Sequence, residues 1–379
     1  MGRSLKIGVV CYPSIGGSGI LATHLGLLCA KEGHEVHFIS YEKPVRLDVD
    51  HPNIHFHLVS VSEYSLFKYS DYTLPLSVKI ADISEEHDLD VLHVHYAVPH
   101  ATAALLARQM RPHTQRPAIV TTLHGTDTTL LGKDPHYMPI IKFSMEQSDG
   151  VTTVSQSLKQ QTIDTFDVKH PIEVIYNFYD PAPPVRSREE VRADLGVAES
   201  ELMLLHMSNL RPVKRFEDIL QAFALVDSSL NSKLVVAAGA DSRSFKAEAE
   251  RLGVGDRVIF REHVVAINDY LNACDIGVYA SEQESFGLSI LETMCYGHPV
   301  VATRAGGIPE VVEDGASGIL VEIGDVNALS AAMTRLIQDA ELRACYGERG
   351  AAVAASKFSG APVRDQYLKL YYEMVAACE

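Results

Sequence analysis

The 379-residue sequence has no C-x-x-C pair; its six cysteines, Cys11, Cys29, Cys274, Cys295, Cys345 and Cys378, are scattered along its length. Such spacing makes neither a zinc ligand set nor a disulfide frame, and it fits buried thiols in a reducing compartment. Positive charge is scarce too, with 33 Lys and Arg against 49 Asp and Glu, a formal net charge of −16. That balance argues against nucleic acid or an anionic membrane as the main partner, since either needs clustered cations. No apolar run reaches the roughly 18 residues of a membrane span, and the first six residues lead directly into a strand pattern. The expected location is therefore cytoplasmic. Short repeats and low-complexity tracts are also missing.

What is present is an α/β rhythm in a chain long enough for two domains. Apolar runs rich in β-branched residues at 5–11, 35–40, 54–59, 91–96, 118–123 and 150–154 predict strands, with helical periodicity at 76–86, 101–110 and 139–147. After Asn177, the stretch Phe178-Tyr179-Asp180-Pro181-Ala182-Pro183-Pro184 predicts a stiff connector. The rhythm restarts with strands at 202–207, 233–239, 257–260, 276–280, 299–303 and 318–321. Two doubly wound parallel sheets follow from this, one over 1–180 and one over 185–361, with the helical tail at about 362–379 expected to pack back on the first. Ligands of such sheets gather beyond the carboxyl ends of the strands, so the polar residues there are the informative ones.

The stretch Ser281-Glu282-Gln283-Glu284-Ser285-Phe286-Gly287-Leu288 leads into a helix through Ile290, Leu291 and Met294. A helix mouth offers unpaired N–H groups to an anion, and Glu284 and Glu292 are expected about two turns apart beside it. Ser208-Asn209-Leu210-Arg211-Pro212-Val213-Lys214-Arg215 brings three cations within five residues to a strand end, where Arg211 and Lys214 suit a diphosphate. Gly16-Gly17-Ser18-Gly19 forms a βα turn that is neither a dinucleotide fingerprint nor a P-loop. Gly306 and Gly307 are a second place where backbone is expected to approach a ligand.

In the first half, Tyr96-Ala97-Val98-Pro99-His100 and Thr121-Thr122-Leu123-His124-Gly125-Thr126-Asp127 end neighbouring strands with polar groups, as if to line one cleft. His93 with His95, and His55 with His57, put imidazole pairs on strand faces. No carboxylate or Cys stands at ligand spacing beside them, so no metal site is expected. Asp48-Val49-Asp50 and Asp88-Leu89-Asp90 look like solvated turns.

Taken together, Glu284-Ser285-Phe286-Gly287 with Glu292, Gly306-Gly307-Ile308-Pro309-Glu310 and Gly318 resemble the retaining glycosyltransferases of the GT-B fold. The resemblance covers nearly the whole chain and implies two Rossmann-like domains facing a central cleft, with a sugar nucleotide on the second and an acceptor on the first. It implies that Glu292 binds the ribose, that Glu284 meets the transferred sugar, and that Ser285, Phe286, Gly287 and Leu288 meet sugar or phosphate. Gly17, Asn209, Arg211 and Lys214 complete the donor set. Members often carry Arg at the position of Asn209, which leaves the phosphate ligands open between Arg211 and others.

Closer likeness, in CYPSIGGSG, HVHYAVPHA, TTLHGTD, IYNF and MSNLRPVKRFED, is to the branch of this family that joins UDP-N-acetylglucosamine to L-malate in bacillithiol biosynthesis. It implies malate binding by Ser18, Tyr96, Thr122 and Asn177, with His124 near the transferred sugar; Arg46 and Lys68 are candidate carboxylate ligands. His124, Glu284, Lys214 and Arg211 would carry the chemistry, with no catalytic metal and no other cofactor. A homo-oligomer is compatible with the sequence. Other acceptors (a sugar, an inositol phosphate, a polyprenyl lipid) remain open, as does a UDP-N-acetylglucosamine 2-epimerase, although the E-x7-E spacing argues against the last.

Overall fold

The structure, a computed structural model, describes residues 3–14, 17–45, 47–61, 71–110 and 117–378. Gly16, Arg46 and Lys68 lie outside the described residues. The chain forms two compact units, Met1–Asn177 with Gly360–Glu379, and Phe178–Ser359.

The first unit holds seven parallel strands: β1 (Lys6–Val10), β2 (Glu35–Ser40), β3 (Ile54–Leu58), β4 (Val91–His95), β5 (Ala118–Leu123), β6 (Gly150–Thr153) and β7 (Ile172–Val174). Their order is β3-β2-β1-β4-β5-β6-β7. The second holds β8 (Leu202–Ser208), β9 (Ser232–Ala238), β10 (Val258–Glu262), β11 (Ile276–Tyr279), β12 (Val300–Thr303) and β13 (Gly318–Val321), ordered β10-β9-β8-β11-β12-β13. Both orders reverse direction once, between β1 and β4 and between β8 and β11, which is the doubly wound Rossmann arrangement. The strands are near-continuous apolar runs because helices cover both faces; β8 and β9 show hardly an exposed residue. Among the described residues no helix is long and apolar enough to cross a membrane.

One sequence expectation shifts. Asp90 is not a solvated turn residue: it is buried, accepts the Lys6 backbone N–H at 2.8 Å and pairs with Arg3 at 2.9 Å, which fixes the start of β1. The proline-rich stretch is anchored on the second unit, where Ala182 O accepts from the Tyr296 hydroxyl at 2.7 Å and the Val185 N–H just beyond it donates to Asp269 at 2.7 Å.

The last helix, Gly360–Cys378, belongs to the first unit through a buried polar seam. Its Tyr371 hydroxyl meets His93 Nδ1 at 2.6 Å, and its Tyr367 hydroxyl meets Thr122 Oγ1 at 3.2 Å. His93 Nε2 in turn meets Thr122 Oγ1 at 2.7 Å, and the same hydroxyl contacts Thr152 at 2.7 Å. Buried polar groups are tolerable only when paired, so this helix is specified by hydrogen bonds as well as by packing. Tyr371→Phe leaves His93 Nδ1 without its partner and is expected to destabilise the first unit by about 1–3 kcal/mol, read from urea denaturation.

The same burial sets a pH dependence. It pushes His93 and His124 from 6.5 down to about 3 and His100 down to about 4. Unfolded imidazoles take up protons below about 6.5 while the folded ones stay neutral, so stability present above pH 6.5 is lost progressively towards pH 3–4. Scanning calorimetry should show the melting temperature falling steeply from pH 7 to pH 5; a flat profile would contradict neutral buried imidazoles.

Candidate active site

In the second unit, three neighbouring strand ends converge. β8 exits through Leu210, whose positive φ of 52° turns the chain so that its buried side chain points inward while Asn209 and Arg211 stand exposed. Beneath the turn, His206 Nδ1 meets Val278 O at 2.8 Å and its Nε2 meets Ser208 Oγ at 2.8 Å, and that hydroxyl accepts the Leu210 N–H at 3.0 Å. His206 thereby ties β8 to β11 at the switch point. A single turn, Pro212–Lys214, then points Lys214 at the next loop, where its Nζ donates to Glu284 Oε2 at 2.5 Å. The two loops are also joined by the Glu282 N–H to Val213 O, 2.9 Å.

Of the three cations read from the sequence, Arg215 is spoken for. Its guanidinium bonds Asp218 at 2.7 Å and Glu282 at 3.2 Å, so it braces the loops. Arg211 stays exposed.

Gly306 and Gly307 pack closely against the Glu284 loop. A Cβ on Gly306 would lie 2.0 Å from Glu284 O, one on Gly307 2.4 Å from Ser285 O, and the Gly307 N–H donates to Glu284 O at 3.0 Å. Phe286 is buried, edge-on to Phe358 at 5.5 Å. The helix Leu288–Cys295 begins after Gly287, whose φ of 102° breaks the preceding turn, and no side chain caps it. Glu292 lies inside this helix, about one turn from its start at Leu288. Ser285, Gly287 and Leu288 lie at its mouth beside the Lys214–Glu284 pair, so cation, carboxylate and helix dipole share one surface. That combination can hold an anion while keeping a hydroxyl-rich group beside a carboxylate.

In the first unit the equivalent strand ends carry a neutral polar set. Gly17, with φ of 60°, precedes the helix Ser18–Lys31, and Ser18 Oγ meets the Tyr96 hydroxyl at 2.6 Å. Tyr96 sits just past β4 at φ 82°, a conformation that costs a non-glycine residue about 1–3 kcal/mol and persists only where its surroundings hold it. Its ring lies 5.6 Å from Tyr12 and 5.2 Å from His124. His124 Nε2 meets His95 Nδ1 at 2.8 Å, and with its affinity for protons so low it works as a neutral hydrogen-bonding group.

Gly17, Ser18, Tyr96 and His124 are thus brought together. Thr122 is not among them: it is 1% exposed and its hydroxyl is spent on His93, Thr152 and Tyr367. Asn177 follows β7, two strands beyond β5 on the same end of the sheet. Asp127, which the sequence grouped with the polar strand ends, anchors the turn after β4. Fully buried, it accepts the Ala97 N–H at 3.2 Å and approaches the Val98 N–H at 3.5 Å, and burial raises its carboxyl to about 7. Its signal was the adjacency of β4 and β5, which places TTLHGTD against HYAVPH.

Comparison with known proteins matches this division. Residues 15–183 fit the model of Glycosyltransferase Family 4, and residues 187–353 fit that of Glycosyl transferases group 1. The N-acetyl-alpha-D-glucosaminyl L-malate synthase of Bacillus anthracis is 42% identical over 373 residues, 98% of this chain and 97% of its own. A D-inositol 3-phosphate glycosyltransferase of Saccharomonospora viridis is 36% identical over 205 residues, 50% of this chain and 47% of its own. Among solved structures, sucrose-phosphate synthase from Thermosynechococcus elongatus superposes with a TM-score of 0.80 at 20% identity, covering 99% of this chain and 100% of that one. HepE of Anabaena, solved with UDP-glucose, gives 0.80 at 21%, covering 97% and 100%. These last two likenesses speak to the fold, which is GT-B. With one domain of each kind in order and a full-length relative at this identity, the chain belongs to the GT-B glycosyltransferases that join a family 4 domain to a group 1 domain.

Proposed function

We propose that the chain transfers N-acetylglucosamine from UDP-N-acetylglucosamine to the hydroxyl of L-malate with retention at the anomeric carbon, in the cytoplasm, as the first step of bacillithiol biosynthesis. The observation that carries the reading is the 42% identity spread over 98% of the chain to an enzyme named for that product, covering the polar strand ends of both units. The inositol phosphate relative matches only half of the chain and lends the acceptor side less support.

The chemistry assigns the units different work. The bond from the anomeric carbon to the β-phosphate oxygen breaks, a bond to the malate hydroxyl oxygen forms, and the hydroxyl proton passes to the departing phosphate. Products are the α-glycoside of malate and UDP. The anomeric carbon becomes cationic as the diphosphate becomes more anionic, so catalysis lies chiefly in stabilising that separation. Lys214 and Arg211 meet the phosphates, aided by the helix mouth at Leu288, with no metal required. Glu292 takes the ribose, while Glu284 orients the sugar and holds Lys214 in place. Ser18, Tyr96 and Asn177 offer hydrogen bonds to malate, and neutral His124 contacts the sugar without opposing its developing positive charge. Thr122 acts from beneath, through the seam that supports β4 and β5.

The discriminating experiment is UDP release from UDP-N-acetylglucosamine with L-malate, inositol phosphate or no acceptor. Malate-dependent release is expected; release that needs inositol phosphate, or epimerisation without any acceptor, would refute the malate reading. Lys214→Ala should lower kcat by about 10²–10³-fold with the fold retained by circular dichroism, because it removes a cation from the leaving group. Glu284→Ala should also abolish most turnover; near wild-type kcat in both would remove the second-unit surface from the mechanism.

A further inference from the structure

A second cluster stands on the first unit near the amino ends of β2 and β3, at the opposite end of the sheet from Tyr96 and His124. Glu35 and His37 are two apart on β2 and share a face, and the register pairs His37 with His55 on β3. His37 Nε2 and His55 Nε2 each lie 3.2 Å from the same oxygen, Glu35 Oε1, and the three ligand atoms fall within 4.8 Å of one another. Sequence spacing offered no carboxylate to the histidines of β3; strand register supplies it.

His37 makes the cluster more than a surface ion pair. Its side chain is fully buried, and its Nε2 makes no hydrogen bond although the carboxylate is so near. Its Nδ1 lies 2.9 Å from His57 Nε2. With the proton on Nδ1, donated to His57, the unprotonated Nε2 is left 3.2 Å from an anionic oxygen. Two lone pairs at that distance repel unless a cation stands between them, and an imidazole fixed through its other nitrogen is the usual form of a metal ligand. A tetrahedral ion with bonds of about 2.0–2.1 Å spaces neighbouring ligand atoms by roughly 3.3 Å, close to the two nitrogen-to-oxygen separations here.

We propose that Glu35, His37 and His55 form a binding site for a borderline first-row divalent cation of the zinc type, with His57 orienting His37 and water completing the shell. Two imidazoles and a carboxylate suit such an ion better than magnesium or calcium, which prefer all-oxygen sets. Glu35 and His55 are 34% and 38% exposed in their side chains, which gives the ion a way in. The ion would staple the edge strand β3 to β2, so its role is structural and separate from glycosyl transfer.

The test uses the full-length chain, stripped with a chelator and titrated with Zn²⁺, then with Co²⁺ as a spectroscopic probe. One equivalent should bind, raise the melting temperature by a few degrees, and give a cobalt spectrum of nitrogen and oxygen ligands without a thiolate band, which excludes the exposed Cys345 and Cys378. Glu35→Gln and His55→Ala should each weaken binding by at least about 100-fold, more than the loss of an orienting partner alone, and leave turnover unchanged. Absence of binding, a thiolate spectrum, or undiminished affinity in both variants would overturn the assignment. So would loss of binding in His87→Ala alone, since His37, His57 and His87 form a competing group.

Discussion

The second-unit surface depends on one steric constraint, the passage of Gly306 and Gly307 so close to the Glu284 and Ser285 carbonyls that a Cβ on either would collide with them. No side chain fits there, so the exits of β11 and β12 are locked together along their backbones. The β8 exit is fastened to the same loop from the other side, by the Glu282 to Val213 hydrogen bond and by Arg215 between Asp218 and Glu282. Glu284 is thereby fixed before any ligand arrives, and Lys214 is held by Glu284. Preorganisation of this kind matters because a cation that must reorient during the reaction forfeits much of its stabilising effect.

The two units solve the same topological problem with opposite electrostatics. Strand ends of the second carry formal charges, with Lys214 and Arg215 answered by acids and Arg211 exposed. Those of the first carry neutral imidazoles, hydroxyls and a carboxyl whose ionisation is delayed by burial. A surface of formal charges suits anionic groups, whereas one of neutral hydrogen-bonding groups suits hydroxyls. In a chain with net charge −16, an anionic substrate must find its attraction locally.

Much of the architecture was legible in the sequence because buried parallel strands need unbroken β-branched runs, and most expected strands match the observed ones within a residue or two. The E-x7-E stretch pointed to the surface around Glu284 and Glu292. What stayed hidden depends on neighbours distant in sequence. Nothing local marks Thr122 as a core hydroxyl, since its partners come from β4, β6 and the last helix. Gly287 sets where the helix begins through a positive φ of 102° that composition does not reveal. Glu35 comes within reach of His55 only because β2 and β3 pair with His37 opposite His55, and Arg215 is bound by Glu282, 67 residues away, as well as by Asp218.

The chain leaves the first unit after Asn177 and re-enters it at Gly360, so the second unit is an insertion within the first. During synthesis the second unit is complete on leaving the ribosome, whereas the first must wait with its β4–β6 seam uncovered until Tyr367 and Tyr371 emerge. The nascent protein therefore completes its second unit before its first, and until the last helix emerges His93 Nδ1 has no Tyr371 hydroxyl to meet.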